Sequence, residues 1–464
     1  MSLSKARTVA FDALLRVAKQ DAYADEVLRA ELDASVKTED AGLATELAMG
    51  VLRWQRLLDY FVDRTLKNPA RVADIEVRIA LRLGAYQLLF LDRIPARAAI
   101  FESVELVKRA RKRSASTLVN AALRKLATEP RAGRSPSEAV GRALPANLSL
   151  EERLGIEYSH PTWMVERWLR IFREERTRAL LETDNHAPPV AGYLLDFERD
   201  ADARLSLQRN GAAVQPGRLL RDAWTFESGN LSACEAIAKS WVAIQDEASQ
   251  AVARLVAAEP GNTVLDLCGA PGGKTLLLAR AAGANGRVIA ADLHENRVRG
   301  MRERLDLAGV GNVETMVVDG SQPLPFERPF DRILVDVPCS GTGTLARHPE
   351  IRWKLRPEDL GDLHERQARL LRNALPYLAA DGRLVYSTCS LEPEENEMVV
   401  REVLAEFGAE FKTVDPLTSL TQILQPSVAA ASVVDAEGLF RTFPPEHGTD
   451  GFFAAIFTRT NYKA

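Results

Sequence analysis

Apolar residues in the first 125 positions recur three and four residues apart, which predicts amphipathic helices with one face in a core. Two such faces are Phe11, Leu14, Leu15 and Ala18, and then Ile79, Leu83, Tyr86 and Phe90. Pro95 is expected to stop the second of these helices near Leu91, because proline breaks the helical hydrogen-bond ladder. The pattern predicts an all-α region that reaches about Lys125.

The composition changes between Ala127 and about Leu148, where Pro, Gly, Ser and Arg accumulate as in a linker. A helical pattern returns from Pro161 to Leu181. Between Pro189 and Ser228, short apolar runs are broken by Asn-Gly and Pro-Gly pairs. These runs predict a small α+β linker module.

From Val242 onwards, short β-branched runs alternate with helical ones. The predicted strands are TVLDL from Thr263, RVIAAD from Arg287, VETMVVD from Val313, DRILVD from Asp331 and GRLVYST from Gly382. Five buried strands separated by helices predict a parallel, doubly wound, Rossmann-like α/β sheet. A last run, FFAAIF from Phe452, comes late and is expected to pair antiparallel at a sheet edge.

These patterns predict a multidomain protein, since 464 residues exceed what one core normally supports. We expect an all-α domain over residues 1–135, a linker with a small α+β module over 136–240, and a doubly wound α/β domain over 241–464.

Composition and charge place the chain among soluble globular proteins, with 46% hydrophobic and 27% charged residues. No apolar stretch reaches transmembrane length, so we expect a cytoplasmic protein without membrane contact. Residues 1–134 hold 24 basic and 17 acidic side chains, against 36 and 47 in the remainder. The basic excess suits contact with phosphates, or is the solvated surface of basic helices. Nothing predicts an obligate protein partner.

The four cysteines are Cys234, Cys268, Cys339 and Cys389. They form no CxxC pair and no cluster with histidine at metal-ligand spacing, so neither a metal site nor a disulfide framework is predicted. Each is therefore a core residue or a reactive thiol. Cys234 lies in no motif and is interpreted as buried filler.

A glycine-rich turn follows the first strand of the predicted sheet, at the edge where open α/β sheets bind ligands. It reads Asp266-Leu267-Cys268-Gly269-Ala270-Pro271-Gly272-Gly273-Lys274-Thr275. Its glycines permit a tight turn and close approach of a ligand to the backbone. An ATP-binding P-loop needs GxxxxGK[ST], and the spacing here is one residue too short; the dinucleotide motif GxGxxG is also absent.

Carboxylates end the next two strands. Asp292 is placed to accept hydrogen bonds from ribose hydroxyls, and Asp319 from an adenine amino group. Either residue alone is commonly an ordinary strand-end or capping aspartate. The glycine turn, Asp292 and Asp319 in this order fit an adenosine ligand without phosphates, and S-adenosylmethionine is such a ligand.

Cysteines follow the fourth and fifth strands, in Asp336-Val337-Pro338-Cys339 and Tyr386-Ser387-Thr388-Cys389. A thiolate that attacks carbon 6 of cytosine makes carbon 5 nucleophilic, and a second thiol can assist the later release. Asp336 is placed to hydrogen-bond the base, and Lys274 to favour the thiolate. The base must be reached outside its stack. These residues alone leave open which cysteine attacks.

The second half of the chain resembles the NOL1/NOP2/Sun family of RNA cytosine-5 methyltransferases. The matching pieces are Gln245-Asp246-Glu247-Ala248-Ser249, CGAPGGKT, Asp292, Asp319, DVPCSGTG, YSTCS and DGFF from Asp450. The resemblance implies that Cys389 is the nucleophile and that Cys339 assists product release. It implies a cofactor pocket formed by Cys268, Gly269, Ala270, Pro271, Gly272, Gly273, Lys274, Asp292, Asp319 and Asp336. Lys274 and Asp336 are also expected near the base.

The first half resembles the NusB-type RNA-binding domain. The residues that carry this likeness are Gly50-Val51-Leu52-Arg53, Leu81-Arg82-Leu83-Gly84-Ala85-Tyr86, Ile94-Pro95 and Val119-Asn120. A NusB-like domain joined to this catalytic half implies 16S rRNA as the substrate, naked or in an assembly intermediate. The alternatives are the same chemistry on tRNA or large-subunit rRNA, and an RNA-binding module with an inactive catalytic half. Retention of both cysteines speaks against inactivity.

Two basic segments are candidates for RNA contact, Lys108–Arg113 and Arg347–Lys354. The first is equally well a solvated helix end. The second follows the Pro-Cys motif and includes Trp353, so it could grip RNA by charge and stacking. Its alternative is an ordinary packed loop.

Overall fold

The computed structural model describes residues 3–20, 22–32, 38–72, 74–128 and 144–460. The chain divides into two compact units. The helical unit comprises Met1–Ala187 together with Leu345–Leu355, and the catalytic unit comprises Pro188–Thr344 and Arg356–Ala464. The predicted linker lies largely outside the described residues, and the predicted domain boundaries at 135 and 240 stay predictions.

The helical unit confirms the predicted all-α region. The helices described in its first piece are α1 (Lys5–Gln20), α2 (Ala24–Glu31), α3 (Thr38–Arg53), α4 (Gln55–Thr65), α5 (Ile75–Phe90), α6 (Ala96–Arg109), α7 (Ser116–Ala127), α8 (Leu150–Glu157) and α9 (Thr162–Thr183). A four-residue helix, Ile351–Lys354, lies in its second piece. α5 ends one residue before Leu91, as predicted, and Pro95 precedes the first residue of α6. On α1 the buried face includes Phe11 and Leu14, but Ala18 is exposed.

The catalytic unit begins with the small α+β module. Its elements are β1 (Val190–Leu194), α10 (Asp200–Arg209), β2 (Val214–Pro216), β3 (Ala223–Phe226), α11 (Glu235–Ala238) and β4 (Val242–Ile244). The strands form an antiparallel sheet in the order β2-β3-β1-β4. Cys234 is fully buried in the apolar core of this module, as its interpretation as filler required.

The main sheet of the catalytic unit is doubly wound. Its strands are β5 (Thr263–Asp266), β6 (Arg287–Asp292), β7 (Val313–Val317), β8 (Phe330–Asp336), β9 (Leu378–Thr388), β10 (Phe411–Val414), β11 (Phe440–Arg441) and β12 (Phe453–Arg459). The helices are α12 (Glu247–Leu255), α13 (Gly273–Ala282), α14 (Glu295–Leu307), α15 (Asp359–Ala374), α16 (Glu397–Phe407), α17 (Leu417–Ile423) and α18 (Pro444–His447). Strand order is β10-β12-β9-β8-β5-β6-β7, with β11 beside β12.

The five predicted strands pair in parallel, from β7 through β6, β5 and β8 to β9. All their carboxyl ends therefore lie along one edge of the sheet, where ligands of this fold bind. The direction in which successive strands are added to the sheet reverses at β5. The glycine turn follows β5, and the Pro-Cys motif follows β8.

Two strand expectations need correction. β12 is antiparallel as predicted, but it lies between β9 and β10 and is not an edge strand. The side chains of Phe453 and Phe457 are fully buried in an apolar core that includes Val400 of α16. β7 was expected to be buried, yet it is the edge strand on the other side, and Val317 is largely exposed.

Within the described ranges, every helix is too short or too polar to cross a lipid bilayer.

Candidate active site

The turn after β5 bends sharply at Gly272, whose φ of +94° lies in the left-handed region. A Cβ atom there would also lie 3.0 Å from Cγ of Met301, so glycine is required for both conformation and space. Gly272 is the residue before α13, and the free N–H groups of the first turn of this helix lie beside the strand ends. The turn thus forms a polar backbone cradle without a phosphate-binding motif.

A cavity of about 180 Å³ opens at this turn. Its lining is Ile244, Gln245, Ser249, Asp266, Cys268, Gly269, Ala270, Pro271, Gly273, Lys274, Arg304 and Asp336. The structure therefore brings most of the predicted turn residues together with Asp336. Asp292 and Asp319 are not part of this lining among the described residues.

Asp292 and Asp319 nevertheless lie at or just past the ends of β6 and β7. Asp292 is buried, accepts a hydrogen bond from the backbone N–H of His294 at 3.2 Å and lies 3.3 Å from Arg297. Asp319 is exposed and accepts hydrogen bonds from Ser321, whose hydroxyl and backbone N–H lower the pKa of this carboxyl. Both carboxylates are charged acceptors along the binding edge.

Asp266 is a site residue to which the sequence analysis assigned no role. It is fully buried at the end of β5, and Thr275 donates a hydrogen bond to its Oδ2 at 2.7 Å. Its Oδ1 has no hydrogen-bond partner among the described residues. Burial raises the pKa of Asp266 to about 7. An unpaired buried carboxylate oxygen is costly, and a cationic ligand group in the cavity would satisfy it. Its position at a strand end, before the turn, was the available indication.

Lys274 and Asp336 connect the cavity to the cysteines. The Lys274 ammonium donates to Oδ2 of Asp336 at 2.8 Å, and Ser387 donates to Oδ1 at 2.7 Å. Burial alone would lower the pKa of Lys274, but the charge of Asp336 outweighs it and raises that pKa. Lys274 is therefore a fixed cation beside Asp336.

The two strand-end cysteines are adjacent in space. The Sγ atoms of Cys339 and Cys389 lie 3.1 Å apart as free thiols, and the backbone N–H of Cys389 lies 3.3 Å from Sγ of Cys339. The hydrogen bond with Cys389, followed by burial and the Glu395 charge, raises the pKa of Cys339. Cys339 is thus a weakly acidic thiol within hydrogen-bond distance of the Cys389 sulfur.

Cys268, the third cysteine on this edge, is in a different environment. Burial, then the negative charges of Asp266, Asp292 and Asp336, raises the pKa of its thiol. It is suited to lining the cavity and unsuited to nucleophilic attack, since the thiolate is the reactive form.

The segment after the Pro-Cys motif does not form the RNA-binding surface that its sequence suggested. Arg352 is fully buried in the helical unit, where it donates to the backbone oxygens of Ser159 and Asp184 and to the side chain of Asn185. Trp353 donates its indole N–H to the backbone oxygen of Leu52 at 2.7 Å. These side chains are occupied in packing, so the packed-loop alternative is correct.

His348 in the same segment lies 3.8 Å from Asp25 and 3.9 Å from Glu350. This is the group with metal-ligand spacing within the described part of the chain. Glu350 accepts a hydrogen bond from the backbone N–H of Ala24, the first residue of α2. The carboxylate therefore caps this helix, which is a structural role.

The other basic segment is a helix end with acidic neighbours. Lys108 pairs with Glu105, Arg109 with Asp12, and Lys112 with Asp74. All three pairs are partly exposed, as expected for a solvated surface.

A parallel sheet whose binding edge carries a glycine turn and carboxylates, without a phosphate-binding loop, is typical of the class of α/β methyltransferases. Comparison with known families shows which methyltransferases these are. The family model described as 16S rRNA methyltransferase RsmB/F matches residues 253–458, and that of the NusB family matches residues 4–128. The chain belongs to this family of methyltransferases, with a NusB domain before the catalytic half, and its cofactor is S-adenosylmethionine.

Relatives match over nearly the whole chain. The probable ribosomal RNA small subunit methyltransferase B of Bacillus subtilis is 32% identical, covering 98% of each chain. The ribosomal RNA small subunit methyltransferase B of Pseudomonas putida is 35% identical, covering 86% of this chain and 88% of its own. A solved methyltransferase homologue from Pyrococcus horikoshii is 26% identical with a TM-score of 0.55, covering 67% of this chain and 99% of its own.

Proposed function

We propose that the protein methylates carbon 5 of a cytosine in 16S rRNA, with Cys389 as nucleophile and Cys339 assisting release. The observation that carries this proposal is the pair of thiols 3.1 Å apart at neighbouring strand ends, beside the cavity of the cofactor. The names of the relatives support the RNA, since one is called ribosomal RNA small subunit methyltransferase B and the other probable ribosomal RNA small subunit methyltransferase B.

The residues of the cavity fit S-adenosylmethionine. The backbone of Gly269 to Gly273 would hold the methionine part, and Oδ1 of Asp266 would accept a hydrogen bond from its ammonium group. Asp292 would accept hydrogen bonds from the ribose, and Asp319 from the adenine amino group. The cofactor supplies a methyl group on a positively charged sulfur.

Cys389 begins the reaction as a thiolate. The two sulfurs lie 3.1 Å apart, close enough for the S–H of Cys339 to hydrogen-bond a Cys389 thiolate, and the Lys274 ammonium is the nearby positive charge. The Cys389 sulfur bonds to carbon 6 of cytosine, and the displaced electron pair makes carbon 5 nucleophilic. Asp336, held by Lys274 and Ser387, is oriented to accept a hydrogen bond from the base.

Release returns Cys389 to its starting form. After carbon 5 has gained the methyl group, its proton passes to solvent water as the base, the carbon–hydrogen electron pair restores the carbon 5–carbon 6 double bond, and the sulfur–carbon 6 bond breaks with its electron pair on sulfur. The departing Cys389 thiolate is stabilised by the S–H of Cys339, whose raised pKa keeps its proton available. Without Cys339, this step slows and the covalent adduct accumulates.

The test compares Cys389→Ala and Cys339→Ala with wild type, using labelled S-adenosylmethionine and unmodified 16S rRNA or its assembly intermediates. We expect 5-methylcytosine from wild type, no product from Cys389→Ala, and denaturation-resistant protein–RNA adducts from Cys339→Ala. Cys234→Ala is the matched control, because Cys234 is buried in the small α+β module. Adducts from Cys389→Ala would reverse the two roles. Methylation of tRNA or 23S rRNA in place of 16S rRNA would overturn the substrate.

A further inference from the structure

A buried carboxylate adjoins the two cysteines and takes no part in the proposed chemistry. Glu395 has no solvent exposure and accepts four hydrogen bonds. Its Oε1 accepts from the backbone N–H of Ser340 and from Nε2 of Gln367, each at 2.8 Å. Its Oε2 accepts from the hydroxyls of Ser340 and Ser390. One side chain thus binds both cysteine loops.

The Pro-Cys loop is held on both sides of Cys339. Ser340, the next residue, donates its N–H and its hydroxyl to Glu395. Pro338, the preceding residue, accepts a hydrogen bond from Gln367 at 3.0 Å, and Gln367 also donates to Glu395. The backbone on either side of this cysteine therefore follows the position of the carboxylate.

The Thr-Cys loop is held in the same way. Ser390, which follows Cys389, donates its hydroxyl to Glu395. Thr388, which precedes the cysteine, donates its hydroxyl to Asn396, the residue after Glu395. The backbone oxygen of Glu395 also accepts a hydrogen bond from Tyr386 on β9 at 2.6 Å. The strand, both loops and Glu395 form one connected network.

We propose that Glu395 is a positioning residue that sets the separation at which the thiols of Cys339 and Cys389 hydrogen-bond. The proposal rests on the two-thiol mechanism proposed above. Glu395 has no direct hydrogen bond to either sulfur among the described contacts, so it acts through the residues beside them. Its buried negative charge also raises the pKa of Cys339.

The donors around Glu395 allow its geometry and its charge to be separated. Both donors to Oε1 are N–H groups, which cannot accept a hydrogen bond, whereas both donors to Oε2 are hydroxyls, which can. Glutamine can therefore direct its carbonyl oxygen to the N–H groups and its amide nitrogen to the hydroxyls. Aspartate keeps the charge, but it is one methylene shorter and cannot reach both loops.

The experiment measures kcat, the KM for S-adenosylmethionine and the pH profile for Glu395→Gln and Glu395→Asp. Glu358→Gln is the control, since this carboxylate is exposed and lies just before α15. We expect Glu395→Gln to keep kcat within about fivefold of wild type, with its profile displaced to lower pH because the pKa of Cys339 falls. Glu395→Asp should lose kcat by about 100-fold, as for a displacement of roughly 1 Å, at nearly unchanged KM.

Equal kcat for Glu395→Asp and wild type would overturn the positioning role while leaving the proposed function intact. A fall in cofactor binding that matches the fall in kcat would also overturn it, because it would show a general structural loss. If Glu395→Asp does not fold, Ser340→Ala combined with Ser390→Ala removes both hydroxyl donors and must lower kcat selectively. Failure of Cys339→Ala to trap adducts would instead reject the thiol mechanism itself.

Discussion

The ammonium group of Lys274 donates a hydrogen bond to Asp336 across 2.8 Å, which joins the glycine turn after β5 to the end of β8. The cofactor cavity and the cysteine pair therefore share one ion pair. Both side chains are largely shielded from water, so each depends on the other for charge compensation. A substitution at either residue should therefore affect both the cofactor cavity and the cysteine pair.

Lys274→Met should lower kcat by about 100-fold. The physical reason is the loss of the ammonium group that holds Asp336 in place, which leaves a largely buried carboxylate without its partner. The measurement is single-turnover methyl transfer. Lys412→Met, at an exposed position on β10, is the control. A wild-type rate in Lys274→Met would contradict this role.

Binding of S-adenosylmethionine should strengthen as pH rises towards 7, by up to about tenfold per unit below the pKa of Asp266. That pKa is raised to about 7 by burial, so the carboxyl is neutral in acid and becomes an anion only near neutrality. The anion is the form that holds an ammonium group. Calorimetry from pH 5.5 to 7.5 measures the slope, and Asp266→Asn should flatten it. An equal slope in both proteins would exclude Asp266 as the titrating group.

Gly343→Ala should reduce kcat by about 100-fold by displacing the Pro-Cys loop. A Cβ atom there would lie 2.1 Å from the backbone oxygen of Gly451 and 2.9 Å from that of Cys389. Gly361→Ala is the matched control, because a Cβ atom on this α15 residue meets nothing within 4 Å. The yield of covalent protein–RNA adduct, measured in a Cys339→Ala background, reports directly whether the Pro-Cys loop is displaced. Wild-type yield in the Gly343 variant would show that the loop tolerates the methyl group.

Arg352→Ala should destabilise the helical unit by roughly 3 kcal/mol or more, since it leaves several buried acceptors without a donor. The measurement is hydrogen exchange, because unfolding of a protein with two units is not a single transition. Faster exchange is expected in Leu345–Leu355 and at the end of α9. Arg356→Ala, an exposed neighbour, should leave exchange unaltered. Slow exchange in both variants would mean that Trp353 and Glu350 suffice to hold the segment.

The sequence predicts most of the strands because the burial pattern of a strand and its place along the chain are local properties. The runs that end at Asp266, Asp292 and Asp336 are strands as predicted, and their polar ends share one edge. Sheet position is a different matter. Nothing local distinguishes β12, which is covered on both sides, from an edge strand, because its neighbours β9 and β10 lie elsewhere in the chain.

The same limit applies to single side chains in the site. Cys339 and Cys389 stand out because each follows a strand, whereas Asp266 looks like one more strand-end aspartate. Its importance appears only when its unpaired oxygen is found in the cavity. Arg352 is the opposite case. A basic residue beside Trp353 suggests a nucleic-acid surface, and only its hydrogen bonds to Ser159, Asp184 and Asn185 show that it is buried.

The helical unit is assembled from two pieces of the chain, and this bears on how the protein is made. Its first 187 residues leave the ribosome without the eleven at Leu345–Leu355 that complete them. Until translation has passed β8 and the Pro-Cys motif, the acceptors around Ser159, Asp184 and Asn185 have no Arg352 to meet. Maturation of the N-terminal half thus waits for the catalytic half to be synthesised. A nascent chain cut short before residue 345 therefore lacks the donor that these buried acceptors need.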